Sequence, residues 1–199
     1  MFEAEKETLK TMLKPERYQH SLGVADSAMK LAQTYQYPKV TDAYLVGLLH
    51  DCAKNIPKDE QIKICLENGV TPDKIEQITN GLIHAKTGAV LAKTIFHVTD
   101  EALLNAIRYH CTGRANMSLL EKIVYLADMI EPSRHFDNLA ALRKRAFENL
   151  DEALILQMNI TISFNLTKNS ILHPDTINAR NYLLIQKRET LQPAKKMVE

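Results

Sequence analysis

His50 and Asp51 are adjacent and close the apolar run Ala43-Tyr44-Leu45-Val46-Gly47-Leu48-Leu49. A helix that carries such a run into a core delivers an imidazole and a carboxylate to a place with little water. A buried, unpartnered carboxylate is strongly destabilising, so something must compensate it. A metal ion does so well, because it binds neutral imidazole and ionised carboxylate together. Asp128 poses the same problem inside Ile123-Val124-Tyr125-Leu126-Ala127-Asp128-Met129-Ile130. His110 ends the apolar stretch from Leu103 to Tyr109, His84 follows Leu82-Ile83, and His20 shares a helical stripe with Val24 and Leu31. Four imidazoles and two carboxylates thus fall at the ends or inner faces of separate predicted helices. A helical bundle builds a metal site in its core in this way.

Each residue alone has a plainer role. A single histidine on an apolar face is more often a satisfied core or cap residue than a ligand, and Asp128 alone could pair with Arg134 or Lys122. His97 reads as a helix C-cap, His135 as exposed, and His173, before Pro174, as a turn residue or a support to the site. The His50-Asp51 pair at an apolar helix end is what favours the metal reading over these.

The elements that must position these residues are helices. Apolar residues recur at helical spacing from Glu16 to Tyr35. Further helices are predicted over 3–14, from Thr41 or Asp42 to about Lys54, over 58–68, from Pro72 at a first helical position, and from Leu82 to Phe96. Others start at Thr99-Asp100-Glu101, at the capping box Ser118-Leu119-Leu120-Glu121, and near Asp137, Asp151 and Asp175. Ile160-Thr161-Ile162-Ser163-Phe164 comes nearest to strand alternation, but its neighbours favour helix. The prediction is one all-α domain over 1–190, a helical bundle with the metal site in its core, followed by a polar tail over 191–199.

Composition narrows the function. The 199 residues carry a net charge of +1, so no electrostatic footprint announces nucleic acid or a membrane surface, and an anionic ligand must be held by a local cluster. No apolar stretch approaches the roughly 18 residues of a membrane span. The three cysteines cannot all pair with one another and match no CxxC or zinc-ribbon spacing, which suits free thiols in a reducing compartment. The expected location is the cytoplasm.

The order His20, His50-Asp51, Asp128 resembles that of the HD-domain metal-dependent phosphohydrolases. This resemblance implies a helical bundle of the HD type holding one or two divalent or iron ions. His84 and His110 look like the extra histidines of the binuclear branch, and His84-Ala85-Lys86-Thr87-Gly88-Ala89 resembles its HxxxGA segment. More narrowly, the segments 110–118, 127–134 and 173–181 resemble the YqeK group, bacterial symmetrical diadenosine tetraphosphatases, and the likeness runs from about Arg17 to Tyr182. Cys111 departs from it, since threonine is expected there in an HTTG sequence; the metal ligands are untouched, but the loop's hydroxyl contact is altered.

On this resemblance His20, His50, Asp51 and Asp128 hold one ion, and His84, His110 and a shared Asp51 hold another. Two ions about 4 Å apart would share a hydroxide that attacks a central phosphorus of diadenosine tetraphosphate (Ap4A), giving two ADP. The resemblance favours iron, while manganese, zinc, cobalt and nickel also suit mixed imidazole and carboxylate ligands. Arg134 is the preferred phosphate clamp and Lys54 a second catalytic cation. Lys86, Thr112, Gly113, Arg114, Arg180 and Asn181 are further candidates for substrate contact, with solvated helix faces the competing role for the two lysines. Other readings are an HD phosphohydrolase of a guanosine polyphosphate or nucleoside phosphate, a nucleotide sensor without turnover, and, least favoured, a thiol hydrolase using Cys111 and His110. The expected partner is a small nucleotide, and the assembly is open between monomer and homodimer.

Overall fold

In the computed structural model, residues 1–79 and 81–191 are described, and among them there are eleven helices and no strand. They are α1 (Glu3–Met12), α2 (Pro15–Thr34), α3 (Val40–Leu49), α4 (Lys58–Glu67), α5 (Lys74–Ile78) and α6 (Ile83–Thr94). Then come α7 (Glu101–Arg108), α8 (Leu119–Ile130), α9 (Leu139–Glu148), α10 (Leu150–Thr167) and α11 (Pro174–Leu191). The tail expected over 191–199 lies outside the described residues from Gln192 onward, and Leu191 ends α11.

Local chemistry explains most boundaries. Pro15 opens α2 at a position where its missing N–H is not needed. Ser118 and Glu121 form the reciprocal capping box that starts α8. Asp73 and Glu76 form another on α5, so Pro72 precedes the cap and is not the first helical residue. The stretch Ile160–Phe164 is helical within α10.

One boundary differs where it matters. The helix predicted to reach Lys54 ends at Leu49, and residues 50–55 run on as turns. The Gly47 carbonyl, which a continuing helix would offer to the Asp51 amide, accepts from His50 Nδ1 at 2.7 Å. Cys52 and Lys54 amides bond the Leu49 and Asp51 carbonyls three residues back. His50 and Asp51 therefore leave the helix axis and turn inward.

The core gathers where α2 lies on α3 and α8, with α7 against both α3 and α8. Val24, Leu31, Leu49, Ile107, Ile123 and Leu126 fill it. Each such side chain contributes roughly 1.5–3 kcal/mol on burial, and this apolar frame fixes the polar centre it surrounds. Gly47 permits the closest approach: a Cβ there would sit 2.8 Å from Ala25 Cα and 3.0 Å from the Val24 carbonyl oxygen. No helix among the described residues is long and apolar enough to cross a membrane.

Candidate metal centre

His20 from the second turn of α2, His50-Asp51 from the turn after α3, His84 from the start of α6, His110 just past α7 and Asp128 from the last turn of α8 all meet at one point. All but Asp128 are buried, and the Asp128 side chain is only 16% exposed. Neighbouring rings stand edge to face, with centroids 5.3 Å apart for His20–His50, 4.9 Å for His50–His110 and 5.0 Å for His84–His110.

The donors divide into two sets with Asp51 between them. Its Oδ2 faces His50 Nε2 at 3.4 Å and His20 Nε2 at 3.8 Å, on the side where Asp128 Oδ1 lies 3.0 Å from His20 Nε2. Its Oδ1 faces His84 Nε2 at 2.8 Å and His110 Nε2 at 3.7 Å. His20, His50 and Asp128 can each offer a donor atom to one ion, their atoms lying within 4.8 Å of one another.

The proton-bearing sides of the rings are already committed. His20 Nδ1 meets Glu131 Oε1 at 3.0 Å, His50 Nδ1 meets the Gly47 carbonyl and His110 Nδ1 meets the Ile107 carbonyl, both at 2.7 Å. Each partner is an acceptor, so the N–H belongs on Nδ1 and the Nε2 lone pair points into the centre. His20 Nε2, His50 Nε2 and Asp51 Oδ1 are buried without a hydrogen-bond partner. His84 Nε2 and His110 Nε2 stand 3.2 Å apart. Inward-facing lone pairs and orphaned carboxylate oxygen so close together repel unless a cation lies among them, and the donor set fits one or two metal ions.

Cationic side chains complete the electrostatics. Arg17 donates to Asp51 Oδ2 at 2.8 Å. Arg134 donates from Nε to the Asp128 carbonyl at 2.8 Å and from Nη2 to the Asp128 carboxylate. Lys54 Nζ stands 3.1 Å from His84 Nε2 and 3.6 Å from Asp51 Oδ1. Burial alone would push the Asp51 carboxyl up; in the protein without metal the adjoining His50, His110 and His84 imidazoles outweigh it and hold the group well below the usual range. Asp128 is held low in the same way, with burial overcome by the adjacent His20 imidazole and by the His50 and Arg134 side chains.

The other residues singled out in the sequence have their polar contacts elsewhere. Lys86 is paired with Glu76 at 2.5 Å, Arg114 with Glu121 at 2.6 Å, and Arg180 with Asn159 at 2.5 Å, with Asn181 accepting from Arg180 at 3.3 Å. Thr112 donates to the Gly113 carbonyl at 2.9 Å. Gly113 adopts φ 65° and packs against Met117 and Met158. His173 joins α11 to α5, its Nε2 2.8 Å from Asp73 Oδ2.

Two contributors escaped the sequence reading. Arg17 lies one turn before His20 on α2, and Glu131 lies three residues after Asp128, held by the Ser133 amide at 2.7 Å and its hydroxyl. The i,i+3 spacing to a candidate ligand was the available signal in both cases. A cavity of about 550 Å³ opens beside this edge of the centre, lined by Lys14, Arg17, His20, Glu131, Arg134 and Phe136 among others.

A helical bundle with adjacent histidine and aspartate at the heart of two donor sets defines a class, and the profile of the HD domain matches residues 17–133. The chain belongs to the HD domain family, and within it to the YqeK group. It is 38% identical over 180 residues to a symmetrical bis(5'-nucleosyl)-tetraphosphatase of Halalkalibacterium halodurans, covering 90% of this chain and 95% of that one. The corresponding enzyme of Bacillus subtilis is 38% identical over 176 residues, covering 88% and 94%. A crystal structure from Clostridium acetobutylicum, described as a predicted HD superfamily hydrolase involved in NAD metabolism, superposes with a TM-score of 0.90 at 43% identity, covering 94% of this chain and 98% of that one.

Proposed function

We propose that this protein hydrolyses diadenosine tetraphosphate symmetrically, taking one water and releasing two ADP, at the centre built around Asp51. The observation that supports it most is the division of the Asp51 oxygens between two donor sets, in a chain that matches nearly the full length of symmetrical tetraphosphatases.

His20, His50, Asp128 and Asp51 Oδ2 would hold one ion, and His84, His110 and Asp51 Oδ1 the other. Ions bound there supply an activated water at neutral pH and offset the negative charge that spreads over the phosphoryl oxygens. The water oxygen bonds to one central phosphorus while the bridging oxygen leaves with the other half. Asp51 orients both donor sets. Arg17 and Arg134 reach the centre from the side of the cavity, and their guanidinium forks suit phosphate oxygens. Lys54 supplies the cation on the His84 side. The pairing of Lys86, Arg114 and Arg180 with Glu76, Glu121 and Asn159, none of them a donor of the centre, supports a lesser part for them. Iron is the metal we assign, on the resemblance to the YqeK group, and the cytoplasm the location, where three free thiols stay reduced.

Chromatography of the products from Ap4A tests the regiochemistry. Two ADP per Ap4A is the expected result; AMP with ATP would overturn symmetric cleavage, and binding without turnover would make the protein a sensor.

A further inference from the structure

Cys111, the residue that departs from the threonine expected of the group, points into the second donor set. Its Sγ lies 3.2 Å from His110 Nε2 and 3.3 Å from His84 Nε2, and those nitrogens are 3.2 Å from each other. Around a tetrahedral ion with bonds of about 2.0 Å to nitrogen and about 2.3 Å to sulfur, such atoms stand about 3.3 Å (N to N) and about 3.5 Å (N to S) apart. The three separations agree with that geometry to within about 0.3 Å. Independently of the thiol, Asp51 Oδ1 is buried, lacks a hydrogen-bond partner and lies 2.8 Å from His84 Nε2. It lies 3.7 Å from His110 Nε2, so it is the carboxylate oxygen placed to add a fourth donor beside the two rings.

We infer that Cys111 is a thiolate ligand of the second ion, completing a set of His84, His110, Cys111 and Asp51 Oδ1. The inference rests on the reading that the centre holds metal. A threonine hydroxyl at this position would leave the site with nitrogen and oxygen donors only. A thiolate makes it softer, so the second site favours zinc or cobalt(II) more than the first site does. Ligation displaces the proton that Cys111 shares with His84 and His110, which passes to solvent, and the sulfur lone pair forms the bond. The other thiols are engaged elsewhere and buried: Cys52 donates to the Gly88 carbonyl at 3.5 Å, and Cys65 meets Thr87 at 3.3 Å.

Cobalt(II) titrated into the metal-free protein tests this by absorption, without reference to turnover. The expected result is a sulfur-to-cobalt charge-transfer band in the parent protein and its loss in Cys111→Ser and in Cys111→Thr. The threonine variant restores the group's expected residue, and circular dichroism verifies its fold. Cobalt bound without the band, or a band that survives in Cys111→Thr, overturns the inference and leaves the metal reading standing. Failure of the parent to bind cobalt or any other transition metal overturns both. As a second readout, metal loading is expected to slow alkylation of Cys111 by iodoacetamide, followed by peptide mapping; equal rates in loaded and metal-free protein would contradict ligation.

Discussion

Asp51 Oδ1 lies 2.8 Å from His84 Nε2, although α4, α5 and their connections separate the two residues in the chain. The other oxygen of the same carboxylate faces His50 at 3.4 Å. One carboxylate thus ties the turn after α3 to the start of α6, and the two donor sets depend on a single residue. Glycine allows the approach from the second side as well: a Cβ on Gly88 of α6 would come within 3.3 Å of the His50 carbonyl oxygen.

Glu131 acts through His20, so Glu131→Gln tests positioning separately from ligation. The carboxylate accepts from His20 Nδ1 and keeps Nε2 bare for an ion. Loss of such a support weakens metal affinity about 10- to 100-fold. Titration of metal-free protein should show that weakening at the site of His20, with His84 and His110 binding as before. Unchanged affinity would reduce the Glu131 carboxylate to a structural partner of Ser133.

Arg134→Lys should lower kcat/KM for Ap4A roughly ten- to a hundredfold, the equivalent of about 1.5–3 kcal/mol for a charge-assisted contact made by a planar fork. Metal content, measured in parallel, separates loss of a phosphate clamp from disturbance of Asp128, to which Arg134 is bonded. The clamp role predicts full metal content with impaired turnover.

Gly47→Ala should destabilise the protein by about 1–3 kcal/mol, the usual range for overpacking a filled core. The added methyl would sit 2.8 Å from the Ala25 backbone, so α2 and α3 must separate. Thermal unfolding should fall by about 2–4 °C per kcal/mol for a chain of this size. Because His50-Asp51 follow directly from α3, metal affinity should fall with it.

Metal binding should grow stronger as pH rises. Burial would push the pKa of His84 and His110 down, but the Cys111 sulfur and the Asp51 carboxylate beside them hold both above the ordinary histidine range, His110 well above. A histidine whose folded pKa is raised stabilises the metal-free fold below its unfolded value of about 6.5, and that contribution is lost as pH rises through the folded value. An ion must displace the same protons. The melting temperature of metal-free protein should therefore decline across this window while the increment on adding metal increases. Parallel pH profiles with and without metal would contradict protonation at these rings.

Legibility in the sequence followed burial. His50-Asp51 and Asp128 stood out because they interrupt apolar runs that could only be core, and His20, His84 and His110 stood out by lying at the ends or on the apolar faces of helices. The capping box at Ser118-Glu121 carries its own local chemistry and was readable for that reason. Arg17 and Glu131 were not, because a charged residue in the first or last turn of a helix is ordinary surface chemistry until its neighbour is known to face inward. The end of α3 at Leu49 was hidden too, since it depends on the His50 ring taking the Gly47 carbonyl. Lys86 looked available because its partner, Glu76, lies on a separate short helix and the pairing is tertiary.

Metal analysis of protein purified without added metal, alongside Asp51→Ala, tests the central claim most directly. The parent should carry near-stoichiometric transition metal and hydrolyse Ap4A; the variant, folded by circular dichroism, should lose both. Metal retained at the parent's level in Asp51→Ala would mean that this carboxylate does not join the two donor sets.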